Sequence, residues 1–200
     1  MSQHITFITG NAGKAKEVGE ILGSSFVIHN KKYDIEEIQG DLPKGNDQYE
    51  KALNHAIQIA SVKARTCADH FGEPVLTEDT SLFLVELMNP GVFIKFWSNE
   101  QLYTASVGCT DKRIFALCIF TFCVPSGEPV TFVGRCDGYI CSPVTGAGAN
   151  GFGWDCLFVP IENSDGRSFA QMTNEEKNEL SHRRRALDVL KVELPKLLGV

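Results

Sequence analysis

No segment of this 200-residue chain approaches the ~18 consecutive apolar residues of a membrane-spanning helix, so a bilayer-crossing protein is not expected. Its seven cysteines (67, 109, 118, 123, 136, 141 and 156) form no CxxC pair and have no histidine at metal-site spacing beside them. Most sit inside apolar runs, where a reduced cysteine behaves as a small hydrophobe, and that usage points to a reducing compartment. Basic residues fall short of acidic ones, 19 against 25, for a net charge of −6. A broad nucleic-acid-binding or membrane-surface face is therefore not expected, although a few converging lysines could still hold a small anion. The N-terminus has no basic region followed by a long apolar stretch, so a cytoplasmic protein is expected. No repeat, low-complexity tract or linker divides the chain, which reads as one domain over residues 1–200. What is present is ordinary for a globular protein: 43% apolar and 22% charged residues, enough to bury a real core.

The order of elements is mixed α and β. A short apolar run (Ile5, Phe7, Ile8) stops at Thr9-Gly10-Asn11, and Ala12 to Leu22 look helical. Asp47 and Glu50 form a capping-box pattern. Behind it Tyr49, Ala52, Leu53, Ala56, Ile57, Ala60, Ala64 and Cys67 recur at helical spacing, predicting a helix of about five to six turns. "PVLTEDTSLFLVEL" reads as a short strand running into two carboxylates, which places the acids at its end, on a sheet edge. Residues 113–124 are apolar on both alternating faces, as in a central strand covered on both sides, and turn back through "PSGEP" into "VTFVGRC". Gly146, Gly148 and Gly151 mark a flexible loop. A single final helix is predicted, capped by Thr173 and Glu176, with Leu180, Leu187, Leu190 and Leu194 as its apolar stripe.

Four stretches carry candidate chemistry. "TGNAGK" is not a Walker A loop, because Gly10 and Gly13 are too close and Ala15 stands where a hydroxyl should reach magnesium. What survives is a helix N-terminus with free backbone N–H groups, Thr9 and Asn11 as polar donors, and Lys14 one turn in. A plain N-cap turn with a solvated lysine is the competing account. Glu78 and Asp79 offer hard oxygen ligands, and magnesium takes one or two protein carboxylates with water and phosphate completing its shell. In "GFGWDCLF", Phe152 and Trp154 could stack on a planar ring while Asp155 accepts hydrogen bonds from it; core aromatics entering a strand are an equal alternative. Lys177, His182 and Arg183 lie within two turns of each other, a pattern more often a solvated helix face. Together these are the parts of a nucleoside triphosphate site.

With those residues assembled, the chain resembles the inosine triphosphate pyrophosphatase family, which acts on noncanonical purine nucleoside triphosphates. "TGNAGKAKEV" resembles the family's T-G-N-x-x-K-x-x-E opening, and "DIEEIQG" its acidic loop, with Glu37 at a magnesium ligand. Lys63, fifteen residues before Glu78, stands where a substrate-binding lysine does. "TEDTSL", "PGVFIKFW" with Lys95, "FGWD" and "EKNELSHRRRAL" are similar to four further motifs, in order. The chain departs from the pattern at "SLFLVELMN", which lacks the usual Gly-Gly, and at Cys156, which replaces a common proline.

The resemblance implies an elongated two-lobed α/β fold with a long curved mixed sheet flanked by helices and a nucleotide cleft between the lobes. It also implies a homodimer, without nucleic-acid or membrane partners, that hydrolyses ITP, dITP and XTP to monophosphate and pyrophosphate. Asp79 and Lys14 would be catalytic. Thr9, Gly10, Asn11, Ala12, Gly13, Lys14, Lys63, Asp79, Thr80, Lys95, Phe152, Gly153, Trp154, Asp155, Lys177, His182 and Arg183 would bind substrate. Glu37, Asp79 and Glu78 would hold Mg2+, with Mn2+ as a substitute. A P-loop ATPase is disfavoured by the spacing of the glycines. A non-catalytic nucleotide sensor, or a same-fold pyrophosphatase for pyrimidine or other modified nucleotides, remains an alternative.

Overall fold

The computed structural model describes residues 3–23, 26–33, 48–142 and 151–198. Seven strands form one mixed, open sheet: β1 (Gln3–Ile8), β2 (Phe26–Lys31), β3 (Val75–Leu84), β4 (Asn89–Gly91), β5 (Arg113–Cys123), β6 (Val130–Ile140) and β7 (Phe158–Pro160). Their order is β2-β1-β3-β5-β6-β7, with β4 paired to β3. β1 runs parallel to both β2 and β3, whereas β3–β4 and β6–β7 are antiparallel. The helices are α1 (Ala12–Leu22), α2 (Gln48–Phe71), α3 (Asn99–Val107), α4 (Asn174–Leu180) and α5 (His182–Leu197). Among the described residues no helix is long and apolar enough to cross a membrane. Asp47 and the acidic loop containing Glu37 fall outside the described residues, as do Gly146 and Gly148.

The chain divides into two compact units. One comprises Met1–Asp79, Cys118–Gly134 and Arg185–Val200; the other comprises Thr80–Leu117 and Arg135–Arg184. In the first, Ile5 and Phe7 of β1, Leu76 of β3, and Cys118, Phe120 and Phe122 of β5 pack with Val18, Ile21 and Leu22 of α1 and Leu187, Leu190 and Leu194 of α5. Ile8, Val75 and Cys123 instead pack with Ala64, Cys67 and Ala68 of α2. The alternation of strand side chains thus gives α1 and α5 one sheet face and α2 the other. Each fully buried large side chain contributes about 1.5–3 kcal/mol. The small residues Ala52, Ala56, Ala60, Ala64 and Ala68 on the buried stripe of α2 leave little bulk between helix and sheet. In the second unit Leu82, Leu84, Ile114, Ala116, Leu157, Phe158 and Phe169 form the core with Leu102 of α3.

Two local expectations change. β3 does not stop at its acids; it continues through Glu78 and Asp79 to Leu84, because Leu82, Phe83 and Leu84 are all fully buried. The predicted single terminal helix is two. Ser181 is extended (φ −69°, ψ 152°) and closes α4 through its N–H to the Lys177 carbonyl. Its hydroxyl then accepts the Arg184 N–H at 3.1 Å, which caps α5. Leu180 accordingly packs in the second unit, while Leu187, Leu190 and Leu194 pack in the first.

Candidate active site

The turn between β1 and α1 is built by its own side chains. Thr9 Oγ1 accepts the Asn11 N–H at 3.1 Å, and Asn11 Oδ1 accepts the Lys14 N–H at 3.2 Å as the N-cap of α1. Gly10 has no left-handed φ; a Cβ there would lie 3.3 Å from Cε of Lys32. The cap therefore engages the amides of Asn11 and Lys14 and leaves those of Ala12 and Gly13 pointing from the helix N-terminus. Thr9 and Asn11 use their oxygens as acceptors, so their hydroxyl proton and amide NH2 remain donors.

Lys14 and Lys63 reach the two acids in the middle of β3. Lys14 Nζ lies 2.6 Å from Glu78 Oε2, and the Glu78 side chain is fully buried. Lys63, from α2, donates to Asp79 Oδ1 at 2.6 Å and to the Glu78 carbonyl at 3.2 Å. Consecutive strand residues face opposite sides, so Glu78 points to the α1 side and Asp79 to the α2 side. Adjacency in sequence had suggested two oxygens presented together; the pleat separates them. Burial pushes the Asp79 carboxyl above its ordinary value, with the Lys63 and Lys14 ammonium groups pulling against that shift. One turn along α2 from Lys63, burial pushes the Cys67 thiol up to about 11, so it stays protonated at neutral pH.

A divalent cation fits Asp79 better than Glu78. Asp79 Oδ2 is buried with no hydrogen-bond partner among the described residues, a carboxylate oxygen left over after Lys63 takes the other. Glu78 instead directs Oε2 to Lys14 and Oε1 to the Cys118 thiol at 3.3 Å. Among the described residues no group of three or more His, Cys, Asp or Glu side chains could cage a metal.

The second unit gathers most of the other predicted residues. Asp155 and Lys177 form a buried ion pair, Oδ2 to Nζ 2.7 Å, at 4% and 3% exposure. The same Oδ2 accepts the Phe152 N–H at 2.6 Å. Asp155 thereby ties the "GFGWD" loop to α4, and its charge is matched inside the protein. Gly151 (φ +88°) is required there, since a Cβ would fall 2.7 Å from that oxygen. The Phe152 ring has Lys177 Nζ 4.7 Å and Arg183 Cζ 5.6 Å from its centroid. Trp154 sits among Phe158, Phe169 and His182, with centroids 5.3–6.5 Å away. Of the two aromatics, Trp154 is therefore largely core. His182 and Arg183 occupy the first turn of α5, both buried, and Arg183 Nη2 donates to Thr80 Oγ1 at 3.3 Å. Lys95 stays on the surface, its ammonium 4.8 Å from the Phe96 ring.

The sequence profile of the Ham1 family matches residues 5–193. The chain belongs to the Ham1 family. An inosine triphosphate pyrophosphatase of Emericella nidulans is 39% identical over 189 residues, covering 92% of each chain. The solved structure of a Ham1 protein from Coxiella burnetii is similar at 25% identity and a TM-score of 0.74, covering 97% of this chain and 99% of that one. That of a nucleoside-triphosphatase, or dITP/XTP pyrophosphatase, from Mycobacterium abscessus has 26% identity and a TM-score of 0.67, covering 94% and 98%.

In this Ham1 chain, two side chains that sequence reasoning passed over hold the assembled residues. Cys118 supplies the second contact to Glu78; it lies in an apolar strand that gave no hint of chemistry. Asn99, at the start of α3, donates from Nδ2 to the Gly153 carbonyl at 2.9 Å and toward Cys156 Sγ at 3.3 Å. A polar residue directly after the N-cap Ser98, inside the Ser98–Gln101 capping box, was the available signal, and it is a weak one.

Proposed function

We propose that this protein hydrolyses noncanonical purine nucleoside triphosphates (ITP, dITP and XTP) to monophosphate and pyrophosphate, cleansing the nucleotide pool. The observation that carries this is the pair of lysine–carboxylate contacts on consecutive residues of β3, beside a capped helix N-terminus, in a chain of this family. Both units belong to one pyrophosphatase domain, and the enzyme works as a cytoplasmic homodimer without nucleic-acid or membrane partners.

Water attacks the α-phosphorus as the bond to the bridging oxygen breaks and pyrophosphate leaves. Asp79 is the general base: Lys63 anchors its carboxylate through Oδ1, and burial raises the carboxyl's affinity for the proton of the attacking water. Lys14, Lys63 and the amides of Ala12 and Gly13 neutralise charge on the phosphates, with Thr9, Gly10 and Asn11 shaping the turn. Asp79 and Glu37 would hold Mg2+, or Mn2+ in its place, and such an ion would supply Lewis-acid charge at the triphosphate. Glu78 serves Lys14 rather than the metal.

Selectivity comes from the second unit. Phe152 gives a ring face for the base; Asp155, Gly153 and Trp154 hold the loop; Lys177 pairs with Asp155; Thr80 steadies Arg183. Lys95 reaches the substrate from the surface. His182 and Arg183 donate to the 6-oxo group of hypoxanthine or xanthine. The 6-amino group of adenine would meet them donor to donor, and a polar site rejects strongly on that ground. The test is pyrophosphate release from ITP, dITP, XTP, GTP and ATP by purified protein, with and without Mg2+. Release of orthophosphate, or equal specificity constants for ITP and ATP, would overturn the proposal.

A further inference from the structure

Lys14 can act on a phosphate only if its ammonium is held at the helix turn rather than sweeping over the surface on a four-carbon stem. Glu78 holds it, at 2.6 Å. A fully buried carboxylate needs more than one donor, because each unmatched oxygen carries a desolvation cost that a lone lysine does not remove. A further donor lies across the sheet. Cys118 of β5 is fully buried, and its Sγ is 3.3 Å from Glu78 Oε1. Its neighbours Leu117, Ile119 and Phe120 are apolar and equally buried, so in the "ALCIF" stretch this position alone offers a side-chain proton.

We propose that Cys118 is a positioning residue: its thiol fixes the Glu78 carboxylate, which in turn fixes the Lys14 ammonium for the polyphosphate. This rests on Lys14 being a phosphate contact. Cys118 touches no substrate, and its effect passes wholly through Glu78 and Lys14.

The experiment is a double-mutant cycle on metal-free protein, read by calorimetric affinity for inorganic tripolyphosphate and for ITP. Cys118→Ala, and the branched apolar Cys118→Val, should weaken both ligands about five- to tenfold, the scale of one typical hydrogen bond. Cys118→Ser, which keeps a donor, should stay within about twofold of wild type. In a Lys14→Met background the alanine and valine changes should have no further effect. An equal loss in that background would make Cys118 merely structural and overturn the proposal. Wild-type affinity in both Cys118→Ala and Cys118→Val would overturn it too. Failure of the wild type to bind tripolyphosphate would overturn Lys14 as a phosphate contact, and this inference with it. Binding of tripolyphosphate but not ITP would remove only the purine assignment and leave the thiol's role to be decided by the variants.

Discussion

Replacing Lys177 by methionine separates two accounts of the basic helix opening near the C-terminus. A solvated lysine would cost about 0–1 kcal/mol to remove. Here Nζ is 2.7 Å from Asp155 Oδ2 and both residues are almost wholly buried. Methionine keeps the length of the stem but leaves a buried carboxylate without its matching charge, while the Phe152 N–H still donates to it at 2.6 Å. Breaking such a pair from one side costs about 3–5 kcal/mol. The ammonium's place over the Phe152 ring, 4.7 Å from the centroid, is lost as well. For a chain of this size each kcal/mol moves the melting midpoint by about 2–4 °C, so a fall of roughly 6–20 °C is expected in scanning calorimetry. Removing both charges, as Lys177→Met with Asp155→Leu, should recover part of that loss, because an apolar pair has no unmatched charge to bury. Melting of Lys177→Met within about 3 °C of wild type would refute the reasoning, since it would mean that water reaches the pair.

Asp79→Asn should lower turnover by about two to four orders of magnitude with little change in melting temperature, measured by pyrophosphate release; near-wild-type turnover would remove Asp79 as the base. The Glu176 carboxyl is lowered from 4.5 to about 2, chiefly by the Arg167 guanidinium and then by the Thr173 N–H. Its folded value lies below the unfolded one, so this contribution to stability is complete above about pH 4.5 and fades as the pH falls toward 2. Arg167→Leu should therefore flatten the acid side of the stability curve across that window, as followed by circular dichroism. Gly151→Ala puts a methyl group 2.7 Å from Asp155 Oδ2 at a left-handed φ. It should displace the loop and narrow the preference for ITP over ATP, while tripolyphosphate binding stays unchanged.

The elements with strong periodicity were legible from the chain alone. α1, the long α2 and the strand over 113–123 all lie where apolar spacing put them. The capping box at Thr173 and Glu176 is present as predicted. What periodicity missed was decided by contacts between distant residues. The acids of β3 looked like the end of a strand because two adjacent charges in a buried strand are unfavourable in isolation. They are accommodated because Lys14, 64 residues earlier, and Lys63 each bring a matching charge. The break before His182 was hidden because Ser181 is an unremarkable residue inside a helical pattern and becomes a cap only when the two halves enter different cores.

By itself, the sequence determined the family, through motifs in a set order, and the class of chemistry, through residue types that suit phosphate, a hard cation and a planar base. Side-chain chemistry is local, so it can be read in one dimension. The tertiary structure alone decided how those side chains are used: which carboxylate faces which helix, which amides of the turn are already capped, that Asp155 and Lys177 hold each other, and that a cysteine steadies Glu78. Those outcomes depend on the strand pleat and on burial, which no single stretch of sequence carries.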